Sequence, residues 1–251
     1  MDYRPGYHLT ADEVETLGTD TVVLPIGSTE QHGPHLPVST DVLIGGILSR
    51  RIAKELGAFV TPVIPISTCR EMMGKKGSVF MKPETCYQML FDICESLVEQ
   101  GYKKIVLFQS HGGIFVIPPL VRQFNATHNP DAYLCKVEIM NLMGDARAEG
   151  LLDTEVCMHA DEYETSVLLA EYPELVHMDR AVDCTPDVPR EFLNYGSIFR
   201  FSPSGVWGCP TAATAEKGKA LIDSGVRSAV KYIKEVFSLM EQKGTFGYSD
   251  F

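Results

Sequence analysis

The sequence predicts an α/β fold in which a mostly parallel sheet is covered by helices on both faces. Short runs rich in β-branched residues alternate along the chain with patterns of helical period. Parallel strands need helical crossovers of this kind, which bury both faces of the sheet. The connections are too short to hold a second domain, so we expect one domain over residues 1–251.

The strand candidates begin with TVVLPI at residues 21–26, a run typical of a buried strand. The others are FVTPVIPI (59–66), KKIVLFQ (103–109), AYLCKVEIM (132–140) and GVWG (205–208). Helical patterns cover 41–57, 83–101, 117–129, 160–172 and 214–242. Gly57 and Gly101 stand where helix C-caps belong.

One long stretch, residues 173–213, has no clear period and is rich in proline and aromatic residues. Long irregular segments inside a compact domain are uncommon and usually functional. We therefore expect a functional loop or a contact surface between subunits here.

Composition and charge restrict the partners. The formal net charge of -11 argues against a nucleic-acid or anionic-membrane partner, since both attract basic surfaces. No apolar run approaches a membrane span, and the amino terminus has no secretory pattern, so a cytoplasmic location is expected. The seven cysteines include no CxxC pair and are expected to be reduced and mostly buried. A small-molecule substrate fits these properties best.

The first cluster of chemically active residues follows the first predicted strand, in GSTEQHGPHLPVSTD (27–41). Glu30 and His32 are two residues apart, so they share a face in extended backbone. Asp41 comes nine residues later, where a helical pattern begins. Carboxylate and imidazole suit zinc, manganese or iron. The alternative is that Asp41 only caps its helix and that the histidines are surface residues.

The second cluster is FQSHGGIF (108–115), directly after the strand candidate KKIVLFQ. His111 stands at the carboxyl end of this strand, where α/β proteins place ligands. Gly112 and Gly113 let the backbone approach a ligand closely. The alternative is an ordinary turn with an incidental histidine.

The third cluster is MHADEYETSVLLAEY (158–172). Glu164 lies at the edge of the apolar face of the predicted helix, and an inward glutamate favours a cation. His159 precedes the helix and is a candidate acid or base. Asp161, Glu162 and Glu171 are interpreted as helix-start charges or a solvated face.

Together the three clusters would surround one cleft with two histidines and three carboxylates: Glu30, His32, Asp41, His111 and Glu164. This ligand set suits a hydrolase with two metal ions and a bridging hydroxide. We expect two divalent ions per chain, and oxygen and imidazole ligands accept zinc, manganese and iron alike.

The chain resembles the creatininase (creatinine amidohydrolase) family. PIGSTEQHGPHLPVSTD (25–41) is similar to the family signature. The resemblance continues in order through KKGSVFMKPET (75–85), SHGG (110–113), HADEYETS (159–166) and GVWGCPTAATAEKG (205–218). It implies a three-layer α/β/α fold, a dinuclear metal centre, hydrolysis of a small C–N bond and a compact homo-oligomer, often a hexamer.

The resemblance also implies roles for individual residues. Glu30, His32, Asp41 and His111 match metal-binding positions, and Asp41 is similar to the bridging carboxylate. Glu164 is similar to a glutamate close to the metals, and His159 resembles the histidine assigned to proton transfer. We assign Glu164 to both the metal and the catalytic set; substrate contacts are expected from Ser78, Gly112, Gly113 and Trp207.

The sequence departs from creatininase itself at two places. Gly112 and Gly113 stand where creatininase has an aromatic residue and a glutamate ligand, so Glu164 would have to supply the missing carboxylate. Creatininase also surrounds its flat substrate with tryptophans, whereas this chain has only Trp207, in a different segment. A small cyclic amide or formamide other than creatinine is therefore the expected substrate.

Two alternatives remain open at this point. One is hydrolysis of a C–C bond or lactone in a cyclic ketone of the inositol-derived type, since the same chemistry serves any activated ring carbonyl. Arg70, Lys75 and Lys76 are candidates to bind an anionic or hydroxyl-rich substrate, or else ordinary solvated charges. The other alternative is a non-catalytic family member, which predicts eroded ligands.

Overall fold

The computed structural model describes residues 6–243, and a parallel sheet lies at its centre. The strands of this sheet are β1 (Thr21–Ile26), β2 (Phe59–Val60), β3 (Lys104–Gln109) and β4 (Tyr133–Glu138). Their spatial order is β2, β1, β3, β4, and every neighbouring pair is parallel. The predicted, mostly parallel sheet is therefore confirmed.

A separate two-stranded ribbon lies outside this sheet. It consists of β5 (Cys157–His159) and β6 (Trp207–Gly208), which pair antiparallel. The predicted strand at 205–208 is thus a strand of the ribbon, with β5 as a partner that the sequence patterns did not indicate. The ribbon matters because it carries His159.

The helices confirm the five predicted patterns and add two. In chain order they are α1 (Ala11–Thr16), α2 (Thr40–Leu56), α3 (Pro83–Glu99), α4 (Ile117–His128), α5 (Ile139–Ala148), α6 (Glu162–Glu171) and α7 (Ala215–Lys243). Helices α1 and α5 were not predicted. None of the helices among residues 6–243 is both long and apolar enough to cross a bilayer.

Two predicted strands were too long. The strand predicted at 59–66 pairs regularly only over β2, because Pro62 and Pro65 cannot donate to the ladder. The strand predicted at 132–140 ends at Glu138, and Ile139 already begins α5. A short apolar run does not by itself distinguish a strand from a buried helix start.

Helices cover both faces of the sheet. Because strand side chains alternate, Val22 and Leu24 of β1 pack against α3 and α4, whereas Val23 packs on the side of α2, α5, α6 and α7. Strand β3 repeats this pattern: Ile105 and Leu107 pack on the side of α3 and α4, and Val106 packs on the side of α2, α5, α6 and α7. The two apolar cores fix the sheet and therefore the positions at which its strands end.

The segment 173–213 contains short 3-10 turns between extended pieces. Part of it, from Arg190 to Ser197, forms one wall of a cavity described below. All seven cysteines are free thiols, and Cys184 and Cys209 are the two that are not fully buried. The prediction of reduced, mostly buried cysteines is confirmed.

Ser110, the first residue after β3, joins the ends of two strands and the start of α2. Its N–H donates to the carbonyl of Ile26 at 2.9 Å. Its hydroxyl lies 2.8 Å from the carbonyl of Asp41 and 3.1 Å from that of Ile26. Polar residues that follow β1 and β3 therefore meet at the same edge of the sheet.

The loop between β1 and α2 is pinned by His35, which is fully buried. Its Nε2 atom lies 3.0 Å from the hydroxyl of Thr165 on α6. Its carbonyl accepts a hydrogen bond of 2.9 Å from the N–H of His177. His35 thus shapes the loop that carries Glu30 and His32.

Replacing Gly218 by alanine should destabilise the protein. A methyl group there would stand 1.9 Å from the carbonyl oxygen of Ser166, so α6 and α7 would have to separate. We expect a loss of about 1–3 kcal/mol in the free energy of unfolding, measured by urea denaturation. The same substitution at Gly144 is the matched control, because that glycine is exposed on α5 with nothing within 4 Å of an added methyl group. Gly144→Ala should add about 1 kcal/mol, and equal effects at both sites would contradict this packing.

His35 should make folding sensitive to acid. Burial, followed by the nearby His32, lowers the pKa of His35 to about 4. The folded state therefore disfavours its protonation, so stability is full above the unfolded value of about 6.5 and falls as pH drops toward 4. Between pH 7 and pH 4 the wild type should lose on the order of 2 kcal/mol more than His35→Gln. His177→Gln, at an exposed position, should keep the wild-type slope; identical slopes for all three proteins would contradict the assignment.

Candidate metal centre

Six titratable side chains predicted from the sequence meet at the carboxyl edge of the sheet. They come from the loop after β1, the first turn of α2, the loop after β3, strand β5 and helix α6. In chain order they are Glu30, His32, Asp41, His111, His159 and Glu164, and each residue is at most 7% exposed. Buried ionisable groups gathered in this way are typical of functional sites.

Asp41 stands between two histidines. Its Oδ1 atom is 3.4 Å from Nε2 of His32, and its Oδ2 atom is 3.3 Å from Nδ1 of His111. On the His111 side, Oε1 of Glu30 lies 3.2 Å from the same Nδ1 atom. On the His32 side, Oε2 of Glu164 lies 3.7 Å from Nε2 of His32.

These contacts form two clusters that share one carboxylate. Glu30, Asp41 and His111 form one cluster, and His32, Asp41 and Glu164 form the other; within each, one candidate ligand atom per residue lies within 4.8 Å of the others. Glu30 and His32 also group with His159 by the same measure. A carboxylate with one oxygen in each cluster suits a pair of ions, since paired sites commonly place the ions about 3.5–4 Å apart.

Several buried ligand atoms have no hydrogen-bond partner among residues 6–243. They are both carboxylate oxygens of Glu30, Nε2 of His32 and Oδ2 of Asp41. A buried polar atom left unsatisfied costs about 1–3 kcal/mol, and more when it is charged. Cations would satisfy these atoms together, so the donor set fits a metal centre.

The electrostatics of the cluster also favour positive charge. Burial alone would lower the pKa of His32, but Asp41 and Glu164 outweigh it and raise that pKa well above 6.5. Burial would likewise lower the pKa of His111, but Glu30 and Asp41 outweigh it and raise that pKa well above 6.5. Burial would raise the pKa of Asp41, but His32 and His111 hold it below its ordinary value. The carboxylates of the cluster thus favour positive charge at the positions of both imidazoles.

His159 is held in one orientation at the side of this cluster. Its Nε2 atom lies 2.7 Å from the carbonyl oxygen of Gln31, a contact that requires Nε2–H as the donor. The side-chain nitrogen of Gln31, 3.1 Å from the same atom, has another acceptor in the carbonyl of Gly205. The Nδ1 lone pair consequently lies on the site side, 3.7 Å from Oε1 of Glu30. Burial and the adjacent His32 lower the pKa of His159, which favours the neutral ring.

Glu164 is positioned by an unusual backbone conformation. Ala160 has a φ of 51°, the left-handed region that side chains seldom adopt. In this conformation its N–H donates to Oε2 of Glu164 at 2.6 Å. The Asp161 side chain caps α6 by accepting from the N–H of Glu164 at 3.0 Å. Strain of this kind persists where the surroundings fix it, commonly at functional sites.

The interpretation of two acidic residues as solvated was wrong. Asp161 is fully buried, although its role as a helix-start cap is confirmed. Glu162 is fully buried and accepts from Lys217, from the Thr154 hydroxyl and from two backbone N–H groups. Glu171 is partly exposed and pairs with Arg51 at 2.8 Å. The buried charge of Glu162 is thus satisfied by hydrogen bonds within the protein, whereas Nδ1 of His111 and of His159 lie 3.2 Å and 3.7 Å from Oε1 of Glu30.

Two residues near the centre were not among the predicted site residues. Glu71 lies in the short 3-10 turn Arg70–Met72, and its Oε1 atom is 3.6 Å from Nε2 of His111. A side chain at Gly113 would meet that carboxylate oxygen at 2.0 Å and His111 Nε2 at 2.4 Å. Gln31, which orients His159, is adjacent to two candidate ligands, and only that position in the motif pointed to it.

A cavity of about 790 Å³ opens onto the centre. Asp41, His111, His159 and Glu164 are among its lining residues, as are Gly112, Gly113 and Arg70. The other two predicted substrate contacts lie elsewhere. Ser78 bonds the backbone of Gln31 and Met72, and Trp207 is buried in a small apolar cluster with Cys69 and Ile198.

Comparison with known proteins identifies relatives of this chain. The model of the family "Creatininase: Creatinine amidohydrolase" matches residues 7–233. The 3-dehydro-scyllo-inosose hydrolase of Thermotoga maritima is 28% identical, over 89% of this chain and 78% of the relative. The creatinine amidohydrolase of Pseudomonas putida is 26% identical, over 88% and 91%. A mycofactocin precursor peptide peptidase of Mycobacterium ulcerans is 29% identical, over 91% and 94%.

Solved creatininase structures also superpose on this chain. A mutant creatininase of the Zn-Zn type superposes with a TM-score of 0.80 at 25% identity, covering 94% of this chain and 99% of the other. A manganese creatininase superposes with a TM-score of 0.78 at 26% identity, covering 91% and 96%. With the family match spanning most of its length, this chain belongs to the creatininase family.

Proposed function

We propose that this protein is a hydrolase that uses two divalent metal ions to cleave a C–N bond in a small cyclic amide or a formamide. The observation that carries the proposal is the Asp41 carboxylate, whose two oxygens face two different ligand clusters. The creatinine amidohydrolase of Pseudomonas putida, whose name states an amide substrate, supports the reaction class. The Zn-Zn and manganese creatininase structures support zinc or manganese as the ions.

Five residues would hold the ions: Glu30, His32, Asp41, His111 and Glu164. When bound, such ions polarise a carbonyl oxygen and lower the pKa of a water from about 16 toward about 7. The protein holds the ligands rigidly, since all of them are buried and β1 and β3 fix their loops. The Glu71 carboxylate stands in the space beside Gly113, while Glu164 belongs to the cluster of His32.

His159 is the proton carrier in this proposal. Its Nε2–H is committed to the carbonyl of Gln31, which leaves Nδ1 to accept a proton and to return it to the leaving nitrogen. Gly112 and Gly113 line the cavity beside His111, where a substrate carbonyl would lie. Assembly into a homo-oligomer stays a prediction from the family resemblance.

A second candidate is hydrolysis of a cyclic ketone of the inositol-derived type. The relative from Thermotoga maritima favours it, since its name states an inosose substrate and the match covers 89% of this chain. The same centre serves both reactions, because each begins at a polarised carbonyl. The substrate distinguishes them.

Metal analysis should separate the two clusters. After removal of free metal, the wild type should retain about two ions per chain. Asp41→Asn should lose both, because Asp41 belongs to both clusters, whereas His32→Ala and His111→Ala should each lose about one. His177→Ala is the matched control at an exposed histidine and should keep both ions. Retention of both ions by Asp41→Asn would overturn the shared-carboxylate proposal.

Activity measurements should identify the reaction and the role of His159. The zinc- or manganese-loaded protein should hydrolyse N-formyl amines or cyclic amides, and a chelator should abolish the rate. His159→Gln should lower kcat by about 10²–10⁴-fold while the metal content stays at the wild-type level, because the loss is one of proton transfer. Hydrolysis of cyclic diketones but not of amides would favour the second candidate. An unchanged kcat in His159→Gln would contradict the proton-transfer role.

A further inference from the structure

The cavity that opens onto the metal centre has an unusual wall. Six methionines line it, and they come from four parts of the chain: Met72, Met73, Met81, Met140, Met143 and Met158. The other three methionines between residues 6 and 243 are Met89, Met178 and Met240, and none of them lines it. Phe80 and Phe115 add aromatic surface to the same wall.

We propose that the substrate carries a bulky apolar or aromatic group beside its scissile bond, and that the methionine-lined wall binds this group. The inference rests on the proposed amide hydrolysis for the chemistry of the bond and concerns only the remainder of the substrate. At about 790 Å³ the cavity is within the range that encloses drug-sized ligands. A compact cyclic amide or formamide without such a group would leave most of this volume unfilled.

The wall is continuous with the centre, so a group bound against it belongs to the same molecule as the scissile bond. Asp41, His111 and Glu164 line the same cavity as Met140 and Met143. Met140 approaches the backbone after His111, since a methyl group at Gly112 would stand 3.3 Å from its Sδ atom. A group bound against Met140 is therefore adjacent to any carbonyl held at the centre.

Methionine is suited to this task for physical reasons. Its unbranched, polarisable thioether adapts to different apolar shapes and makes favourable contacts with aromatic rings. The arginines on the wall are themselves packed on rings, Arg70 at 5.1 Å from the centre of Phe80 and Arg190 at 5.7 Å from that of Phe115. Arg190 also donates to the carbonyl of Gly112 at 2.8 Å. The wall thus presents more apolar than charged surface to a ligand.

Helix α5 explains why part of this wall exists. It begins at Ile139 without an intervening loop after β4, so its first turns lie at the carboxyl edge of the sheet. Ile139 and Met143, four residues apart on one helix face, both line the cavity and are 3% exposed. Helix α5, which the sequence patterns did not predict, thus supplies part of the wall on the substrate side of the site.

Binding of amines without a scissile bond tests the wall separately from the chemistry. The probes are aniline and its 4-methyl, 4-ethyl and 4-butyl derivatives, titrated calorimetrically into the metal-loaded protein. Each added methylene should tighten binding by about fourfold if the wall encloses it. Formanilides with the same substituents should show the same order in kcat/KM. Affinity independent of alkyl length would overturn the proposal.

Two variants locate the effect. Met140→Gln keeps the side-chain length and should weaken binding of both aniline and 4-butylaniline, the latter at least tenfold, because Met140 lies beside the centre. Met89→Gln on α3, on the opposite face of the sheet and outside the cavity, is the matched control and should leave both affinities unchanged. Metal content and thermal unfolding of both variants verify folding; Met143→Gln provides an independent second position.

The outcomes separate this proposal from the proposed function. Length-dependent binding of the anilines with no hydrolysis of any formanilide would retain the wall and refute amide hydrolysis. Hydrolysis of formanilides without dependence on alkyl length would retain amide hydrolysis and refute the wall. Sedimentation of the wild type and of Met140→Gln tests the remaining occupant: if the variant changes the oligomeric state and no aniline binds, the wall is a surface between copies of this chain and the proposal fails.

Discussion

The arrangement of the site depends on where the Asp41 carboxylate is placed. Asp41 lies in the first turn of α2, directly beside the end of β3, because Ser110 bonds its backbone carbonyl. The helix N-terminus favours a negative charge at this position. Two histidines from two loops approach its two oxygens, so one buried side chain sets the separation between both halves of the centre.

A comparison of two buried glutamates shows why the centre indicates function. Glu162 and Glu30 are both fully buried. Glu162 receives hydrogen bonds from Lys217, from Thr154 and from the backbone, so its charge is satisfied within the fold. Glu30 makes no hydrogen bond of good geometry at either oxygen among residues 6–243, and Nδ1 of His111 and of His159 lie 3.2 Å and 3.7 Å from its Oε1 atom. A fold tolerates a buried carboxylate of this kind where another group supplies positive charge. The packed cores on both faces of the sheet offset the cost of burying it.

The sequence predicted the parts of this structure that depend on local pattern. Strand β1 and the long helices have clear periodicity, and Glu30, His32 and His111 follow strands, so their convergence at one sheet edge could be inferred. The course of the chain after β4 could not, because the apolar run that begins α5 resembles the end of a strand. Glu71 and the buried state of Glu162 depend on tertiary contacts that no local spacing encodes.

The carboxylates on the two sides of the centre come from different elements of the fold. Gly113 cannot carry a side chain, because Glu71 and His111 already occupy the space beside it. That Glu71 carboxylate lies 3.6 Å from Nε2 of His111, whereas Glu164 of α6 lies on the other side of the centre, 3.7 Å from Nε2 of His32. Reaching that position requires Ala160 to adopt a left-handed conformation that directs its N–H to Oε2 of Glu164. Gly113 thus leaves room for Glu71 beside His111, and the left-handed Ala160 holds Glu164 beside His32. Both glutamates line the cavity on which the methionines lie.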